Sequence, residues 1–169
     1  MRNSIDLLDL YESYSDDVYR YLLFLLRNKE VAEDLTHDTF LKVHSSLHQF
    51  NQQSSLRTWL LKIAGNTAID YIRRTKRVHF LAFGKRSEPI TIKTPELNAI
   101  QKADVRLLYK ALGELKKDYQ EVLILRKIQE LSIRETSEIL GWSEDKVKAK
   151  SARALSKLRE TFLKEEGTK

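Results

Sequence analysis

The chain has 169 residues, and its composition limits the classes of protein to which it can belong. It contains no cysteine, five glycines and two prolines, with 41% hydrophobic and 32% charged residues. The absence of cysteine excludes a disulfide framework and thiolate chemistry, and it fits a reducing cytoplasm. The scarcity of turn-forming residues argues against an all-β fold and favours helices. The apolar content is too high for a disordered chain, and no apolar run approaches the roughly 20 residues that span a bilayer.

Charge is distributed unevenly along the chain. Residues 1–40 hold nine acids and four bases, which gives a net charge of −5. Residues 57–79 hold six bases and one acid (+5), and residues 143–159 hold six bases and two acids (+4). Two separate basic clusters indicate a polyanion as their partner, whereas the acidic first segment indicates a different, basic partner.

The first half of the chain predicts three amphipathic helices. Apolar residues recur at three- and four-residue steps over residues 4–27 and again over residues 30–47. The stripe of the second helix consists of Val31, Leu35, Thr39, Val43 and Leu47. A polar loop follows, and Ser54 or Ser55 can cap a third helix that we expect to end near Arg77.

Helical periodicity stops in the middle of the chain, where Gly84 and both prolines interrupt the pattern. A proline also disfavours helical geometry in the residue before it. The interrupted stretch is about 16–20 residues long, and a structureless connection longer than about 12–15 residues is uncommon inside a compact domain. The pattern therefore favours two domains. We therefore predict an all-α protein of two small helical domains, residues 1–80 and residues 97–165, joined by a flexible linker over residues 81–96.

The second half contains the pattern of a helix-turn-helix. Ser132 and Glu135 have the spacing of a capping box, in which each side chain accepts a hydrogen bond from the other residue's backbone N–H. Gly141 can end this short helix, because glycine readily adopts the positive φ that a helix C-terminus often needs. Ser143 can cap the following helix, which has one apolar and one cationic side. This is the form of a DNA-reading helix, and a helical hairpin with a solvated charged side is the alternative.

Small residues alternate with bases on the cationic side of that last helix. They allow the helix to approach the floor of the major groove, where Lys and Arg can bind phosphates or guanine edges. The residues that we expect to face DNA are Lys146, Lys148, Ala149, Lys150, Ala152 and Arg153.

The third predicted helix combines aromatic residues with bases. It carries Trp59 and Tyr71, and its end carries Arg73, Arg74 and Arg77. Cations bind backbone phosphates, and aromatic faces stack on unpaired bases, so the combination suits single-stranded nucleic acid. The two aromatic side chains also suit a core, which we favour for Trp59, and the arginines could form a solvated helix end.

A metal phosphohydrolase is an alternative suggested by His37 and Asp38. His44 and His48 have the i,i+4 spacing of metal ligands on a helix. However, no H-E-x-x-H motif or further His–carboxylate set accompanies them, and the sequence has no Gly-rich phosphate loop or nucleophile elbow. We therefore expect no metal, no cofactor and no enzymatic activity.

Three stretches resemble the conserved regions of one protein family. Residues 32–43 and 55–74 resemble the second conserved region of bacterial sigma factors, with the sequences A-E-D-L-T-H-D-T-F-L-K-V and S-L-R-T-W-L-L-K-I-A-G-N-T-A-I-D-Y-I-R-R. Residues 131–158 resemble their fourth region, which is less specific because response-regulator helix-turn-helix domains are similar there. With these two regions and a short linker between them, the chain resembles the extracytoplasmic-function (ECF) subgroup.

The resemblance implies a promoter-specificity subunit of RNA polymerase that acts in the cytoplasm without direct membrane contact. It implies that an acidic helix docks on the clamp coiled coil of the largest polymerase subunit through Asp34, Leu35, Asp38, Thr39 and Lys42. It implies that the minus-ten element is captured and melted by Phe50, Asn51, Ser54, Asn66, Arg73, Arg74 and Arg77. It also implies that the last helix reads the minus-thirty-five element of promoter DNA, and that an anti-sigma protein, often membrane-tethered, holds the chain inactive.

The chain departs from the family pattern at several positions. Gly65 stands where an Arg usually precedes the Asn of region two, and Asp145-Lys146 stand where Gly-Thr usually precede the valine of the reading helix. Ala149 and Ala152 replace a serine and an aromatic residue. We expect readout to rest on Lys148, Lys150 and Arg153.

Two further functional classes remain as alternatives to a sigma factor. One is a response-regulator-type transcriptional regulator in which residues 1–95 sense a signal or dimerise. The other is a protein-interaction module that does not bind nucleic acid. The basic, aromatic helix at 57–77 argues against the first, because a sensing domain does not need a second polyanion-binding surface. A DNA affinity that barely depends on salt would favour the second.

Overall fold

The structure is a computed structural model that describes residues 5–83 and 103–167. All regular secondary structure in these two ranges is helical, which confirms the predicted all-α class. The contacts divide the chain into two compact units, Met1–Thr94 and Pro95–Lys169. Residues 84–96, most of the predicted linker, lie outside the described ranges.

The first unit is built from three helices. They are α1 (Leu7–Leu26), α2 (Lys29–Ser46) and α3 (Leu56–Phe83), with a 3-10 turn at Leu47–Gln49. Each helix begins after a side chain that accepts a hydrogen bond from a backbone N–H, which satisfies one of the amides left without a partner there. These caps are Asp6 for α1 (3.1 Å), Asn28 for α2 (3.0 Å) and Ser55 for α3 (3.1 Å).

The core of the first unit lies where the three helices meet. Its fully buried side chains include Val18, Leu22, Val43, Leu60 and Leu61. Burial of each such side chain contributes about 1.5–3 kcal/mol. At the edge of this core, the guanidinium Nε of Arg57 donates to the Asp17 carboxylate over 2.7 Å and links α3 to α1.

Helix α3 is longer than the sequence pattern predicted. We expected it to end near Arg77, but it continues to Phe83 and enters the predicted linker. The physical reason is that no helix breaker occurs before Gly84, so backbone hydrogen bonding continues although apolar periodicity has ended. As a result, Val78 and Leu81 are largely exposed.

Gly65 lies in the middle of α3, at a point where the Tyr21 ring of α1 packs closely over the helix. A Cβ atom at Gly65 would lie 3.0 Å from the hydroxyl oxygen of Tyr21, whose ring is buried in α1. Glycine costs about 1 kcal/mol relative to alanine in a helix interior. The close approach of α1 to α3 therefore leaves little room for a side chain at this position.

The Gly65→Ala substitution is expected to be more favourable when the Tyr21 hydroxyl is removed. With Tyr21 intact, steric contact offsets the gain in helix propensity, whereas in a Tyr21→Phe background the substitution stabilises the first unit by about 0.5–1 kcal/mol. A double-mutant cycle of urea unfolding measures the difference. Trp59 fluorescence in a Trp142→Phe background restricts the signal to the first unit. Equal effects of Gly65→Ala in both backgrounds would contradict the packing argument.

The second unit contains four helices. They are α4 (Ala103–Gly113), α5 (Lys117–Leu123), α6 (Ile133–Leu140) and α7 (Glu144–Glu166). Helix α7 packs against the other three, with Val147 and Ala154 fully buried beside Tyr109 and Leu125. A π-helical turn at Ile124–Ile128 follows α5.

The structure contains the predicted helix-turn-helix, and its helices have the predicted capping hydrogen bonds. The Ser132 hydroxyl accepts from the backbone N–H of Glu135 (3.1 Å), and the Glu135 carboxylate accepts from the backbone N–H of Ser132 (2.8 Å). Gly141 ends α6 with φ of 67°. The Ser143 hydroxyl then caps α7 by accepting from the N–H of Lys146 (3.1 Å). Local side-chain chemistry thus fixes the start and end of α6 and the start of α7.

One carboxylate of the second unit is partly withdrawn from water. Burial raises the pKa of Glu121 on α5 above its usual value of 4.5, although Lys117 at 3.7 Å opposes the shift. Because the folded protein binds this proton more tightly than the unfolded chain does, Glu121 favours folding at low pH. That contribution is lost as the pH rises through the raised pKa.

The Glu121→Gln substitution is therefore expected to stabilise the second unit near pH 7. The stabilisation should shrink as the pH falls through the raised pKa, because the wild-type carboxyl is then also neutral. Thermal unfolding between pH 4 and pH 7, followed by Trp142 fluorescence in a Trp59→Phe background, measures this trend. A stabilisation that grows towards low pH would contradict the assignment.

Candidate nucleic-acid interface and docking surface

Helix α7 presents a cationic side to solvent. Val147, Ala154 and Leu158 are buried against the rest of the second unit, so the opposite side faces outward. The exposed residues among those predicted to bind DNA are Lys146, Lys148, Ala149, Ala152 and Arg153. Within the described residues, neither Lys148 nor Arg153 forms an ion pair, so their charge is available to a polyanion.

The position of Lys146 is set by the turn before α7. Its ammonium Nζ lies 4.3 Å from the ring centroid of Trp142, within the range of a cation–π interaction. The Trp142 backbone carbonyl in turn accepts a hydrogen bond from the Ser137 hydroxyl. This tryptophan was not among the predicted site residues, although its place in the turn of the helix-turn-helix could have indicated it.

Lys150 lies away from the exposed cationic side of α7, and its contact with DNA stays a prediction. Its ammonium lies 3.3 Å from the Asp118 carboxylate and 5.5 Å from the centroid of the Tyr119 ring. Only 28% of its side chain is exposed. Lys150 therefore joins α7 to α5, because its helical position lies near the packed side of α7, and its charge is already neutralised.

Helix α3 carries a second cationic surface, in the first unit. The predicted residues Asn66, Arg73, Arg74 and Arg77 are all exposed. Across residues 5–83, none of these three arginines has an ion-pair partner. Lys62 also belongs to this cationic surface, because it is exposed and lies one helical turn before Asn66. It was not among the predicted DNA-binding residues, although its helical spacing could have indicated it.

The loop before α3 is anchored by an aromatic pair. The ring centroids of Phe50 and Trp59 lie 5.1 Å apart, and both residues are half-buried. The Asn51 side chain accepts a hydrogen bond from the Gln53 backbone N–H (3.2 Å), which makes a tight polar turn. Ser54 is half-buried at the end of this turn. The predicted loop residues are thus held close to the start of α3.

The acidic surface of α2 is smaller than predicted. Asp34 and Asp38 are exposed, but Leu35 is 4% exposed and Thr39 is fully buried. Both side chains belong to the core, where the Thr39 hydroxyl donates to the Leu35 carbonyl. Their part in docking stays a prediction. Lys42 also bonds inward, to the Thr67 hydroxyl at 3.2 Å.

An exposed leucine extends the acidic surface of α2. Leu41 is 68% exposed and lies one turn after Asp38, which in turn lies one turn after Asp34. The i,i+4,i+7 spacing of these residues could have identified Leu41 from the sequence. Two carboxylates beside one apolar side chain suit a basic partner surface that also offers an apolar contact.

The residues of the proposed metal site have other surroundings. The imidazole of His37 stacks on the Tyr11 ring with 6.2 Å between centroids. Across residues 5–83 and 103–167, no three His, Asp or Glu side chains lie together as a metal site would need. In the same two ranges, no helix combines the length and apolar character needed to cross a membrane.

Comparisons with known proteins match both units. The family described as Sigma-70 region 2 matches residues 10–78, and the family described as Sigma-70, region 4 matches residues 106–158. The ECF RNA polymerase sigma factor SigX of Bacillus subtilis is 36% identical over 93% of this chain and 84% of its own length. The RNA polymerase sigma factor YlaC of the same organism is 39% identical over 96% and 94%.

The fold also matches solved structures. The sigma factor RpoE of Bartonella quintana, in its complex with the anti-sigma factor NepR, has a TM-score of 0.77 at 24% identity, over 90% of this chain and 94% of its own. CnrH, in complex with the cytosolic domain of CnrY, has a TM-score of 0.64 at 21% identity, over 91% and 85%. At these identities the likeness supports the all-α fold.

Proposed function

Because this chain belongs to the ECF RNA polymerase sigma factors, we propose that its two units divide promoter recognition between them. In this proposal α2 docks on the clamp coiled coil of core RNA polymerase, α3 and the loop before it hold the melted minus-ten strand, and α7 reads the minus-thirty-five element. The first functional domain then extends from the amino-terminal residues to the end of α3, and the second begins before α4. We also propose that the chain acts in the cytoplasm as a binding subunit rather than as an enzyme.

The observation that carries this proposal is the presence of one accessible cationic surface in each unit. Arg73, Arg74 and Arg77 supply it on α3, and Lys148 and Arg153 supply it on α7. A phosphate backbone attracts both surfaces, and release of its counterions makes the binding favourable. A sensing or dimerising domain has no use for the surface on α3, which disfavours the response-regulator alternative.

The minus-ten assignment combines two kinds of contact, arginines that bind phosphates and a loop that receives a base. Arginines along α3 would follow the phosphates of the displaced strand, while the loop from Phe50 to Ser54 would receive an unstacked base. Asn66 is exposed on the same helix and offers a carboxamide that can both donate to and accept from a base edge. The roles of these residues are part of the proposal.

The docking assignment rests on Asp34, Asp38 and Leu41. Exposed carboxylates steer a basic partner and fix its orientation, and an apolar side chain beside such charges adds buried area. Leu35 and Thr39 support this surface from the core of α2, and the exposed Lys42 links α2 to Thr67 of α3.

We further propose that an anti-sigma protein controls the chain, and that this protein is membrane-tethered. The structurally similar sigma factor RpoE was solved with the anti-sigma factor NepR, and the structurally similar CnrH was solved with the cytosolic domain of CnrY. A cytosolic domain of a larger protein fits a regulator anchored elsewhere. The acidic surface on α2 is the part of the first unit that such a regulator would cover to prevent polymerase docking.

Run-off transcription with purified core polymerase and the full chain tests the proposed function. A library of upstream sequences serves as template, and the transcripts show which of these sequences the polymerase used as promoters. We expect transcripts to depend on the chain and to share two sequence elements, one near minus ten and one near minus thirty-five. Transcripts that arise equally without the chain, or from random upstream sequence, would overturn the proposal.

A further inference from the structure

Over residues 145–156, the side of α7 opposite its buried side carries almost only small side chains, whereas the exposed Glu160 and Leu163 lie near the same line further along the helix. At about 100° per residue, Asp145, Ala149, Ala152 and Ser156 lie within about 40° of the line opposite Val147. All four are exposed, and Asp145 is the charged member of this central strip. A helix that enters the major groove along this strip therefore brings one carboxylate close to the base edges.

The cations of α7 flank the strip rather than occupy it. Lys148 and Arg153 lie on opposite sides, about 60–80° from its centre. Long side chains at these flanks reach outward to phosphates or to guanine edges, while the small residues between them let the backbone approach the groove floor. Recognition helices place their amino-terminal residues against base edges, and Asp145 lies in the first turn of α7.

Asp145 is not needed to cap the helix on which it lies. The Ser143 hydroxyl makes the capping hydrogen bond, and Glu144 supplies a second carboxylate to the same helix terminus. Within residues 103–167, no hydrogen bond or ion pair engages the Asp145 side chain. Its acceptor oxygens are available to a ligand.

A carboxylate that faces DNA is repelled by phosphates unless a base offers it a hydrogen-bond donor. In the major groove, cytosine presents its N4 amino group, and adenine presents an amino group beside the acceptor N7. The N7 lone pair repels a carboxylate, so cytosine is the better partner. Aspartate and glutamate accordingly pair with cytosine N4 in direct readout.

We infer that Asp145 is a specificity-determining residue that accepts a hydrogen bond from the N4 amino group of one cytosine in the minus-thirty-five element. The inference rests on the proposed role of α7 in reading that element. The inference names the base that α7 recognises, cytosine, and the atom that donates the hydrogen bond, N4. It concerns Asp145, one of the positions at which the sequence differs from the expected family pattern.

The test compares transcription from a strong promoter and from all of its single base-pair variants in the upstream element. The chain is assayed with core polymerase as wild type, Asp145→Ala, Asp145→Asn and the control Glu144→Gln. The control removes one charge from the same helical turn but lies about 100° away from Asp145 around the helix. Circular dichroism and core-polymerase binding verify that each variant is folded and docks.

We expect wild type to prefer C·G over every other pair at one position by about tenfold. Asp145→Ala should lose this preference at that position alone, and Asp145→Asn should shift it towards A·T, because asparagine pairs with adenine. Glu144→Gln should keep the wild-type pattern. If Asp145→Ala selects the same base at every position as wild type, the inference fails while the proposed function stands. If wild type shows no upstream sequence preference, the reading role of α7 fails as well.

Discussion

Transcription from a selected promoter is expected to fall by about 100-fold when Lys148 and Arg153 are both replaced by glutamate. The two cations flank the outward strip of α7 and have no carboxylate partner in the described part of the second unit. Reversal of their charge turns two attractive phosphate contacts into repulsion at the base-reading side. Run-off transcription with a fixed amount of core polymerase measures the loss.

A matched control lies on the same helix. Lys157 is already paired with Glu160 at 2.9 Å and lies to one side of the strip. The Lys157→Glu substitution makes the same change of charge per residue but should lower transcription by no more than about threefold. Binding of core polymerase should be retained by all variants. Equal losses for the control and for the double variant would mean that general charge, rather than the positions of Lys148 and Arg153 on α7, determines promoter use.

Core polymerase is expected to bind the Asp34→Arg, Asp38→Arg variant at least about 30-fold more weakly than wild type. Both carboxylates are exposed on α2, one turn apart, where they can meet basic side chains of a partner. Their reversal places like charges against each other across the interface. Titration of fluorescently labelled chain with core polymerase gives the affinities.

The control for docking changes two exposed acids on another helix. Asp9 and Glu12 lie on α1, and the Asp9→Arg, Glu12→Arg variant alters the net charge by the same amount as the docking variant. It should bind polymerase within about twofold to threefold of wild type, because long-range charge effects are screened in physiological salt. If both double variants bind equally well, the docking surface lies elsewhere.

Local signals made a large part of this fold predictable. The Ser132–Glu135 capping box, Gly141 and the Ser143 cap all act over a few residues, so spacing alone identifies them. The late end of α3 was missed for a related reason. Apolar periodicity reports burial, whereas backbone hydrogen bonding can continue through residues that are not buried.

The positions of the site residues that lie away from the exposed surfaces depend on packing between distant segments. Lys150 looked available for DNA because its partner, Asp118, is 32 residues earlier in the chain and becomes a neighbour through tertiary packing. Leu35 and Thr39 were assigned to docking by family resemblance, although the apolar stripe of their own helix places them inside. Helical periodicity was the better guide at these two positions, because burial of α2 decides which side chains can touch a partner.

The length of α3 has a dynamic consequence. At about 1.5 Å per residue its 28 residues span about 42 Å, and packing against α1 and α2 is concentrated in its first half. We therefore expect amide hydrogens near Leu60 and Leu61 to exchange only through global unfolding, and those beyond Arg77 to exchange through local fraying. On this expectation the first half of α3 is rigid and its last residues fray. Arg73, Arg74 and Arg77 lie where the packed part of the helix gives way to the tip, its fraying end. A nucleic-acid strand that binds there should slow amide exchange in the tip, so that ordering of the helix end accompanies binding of the strand.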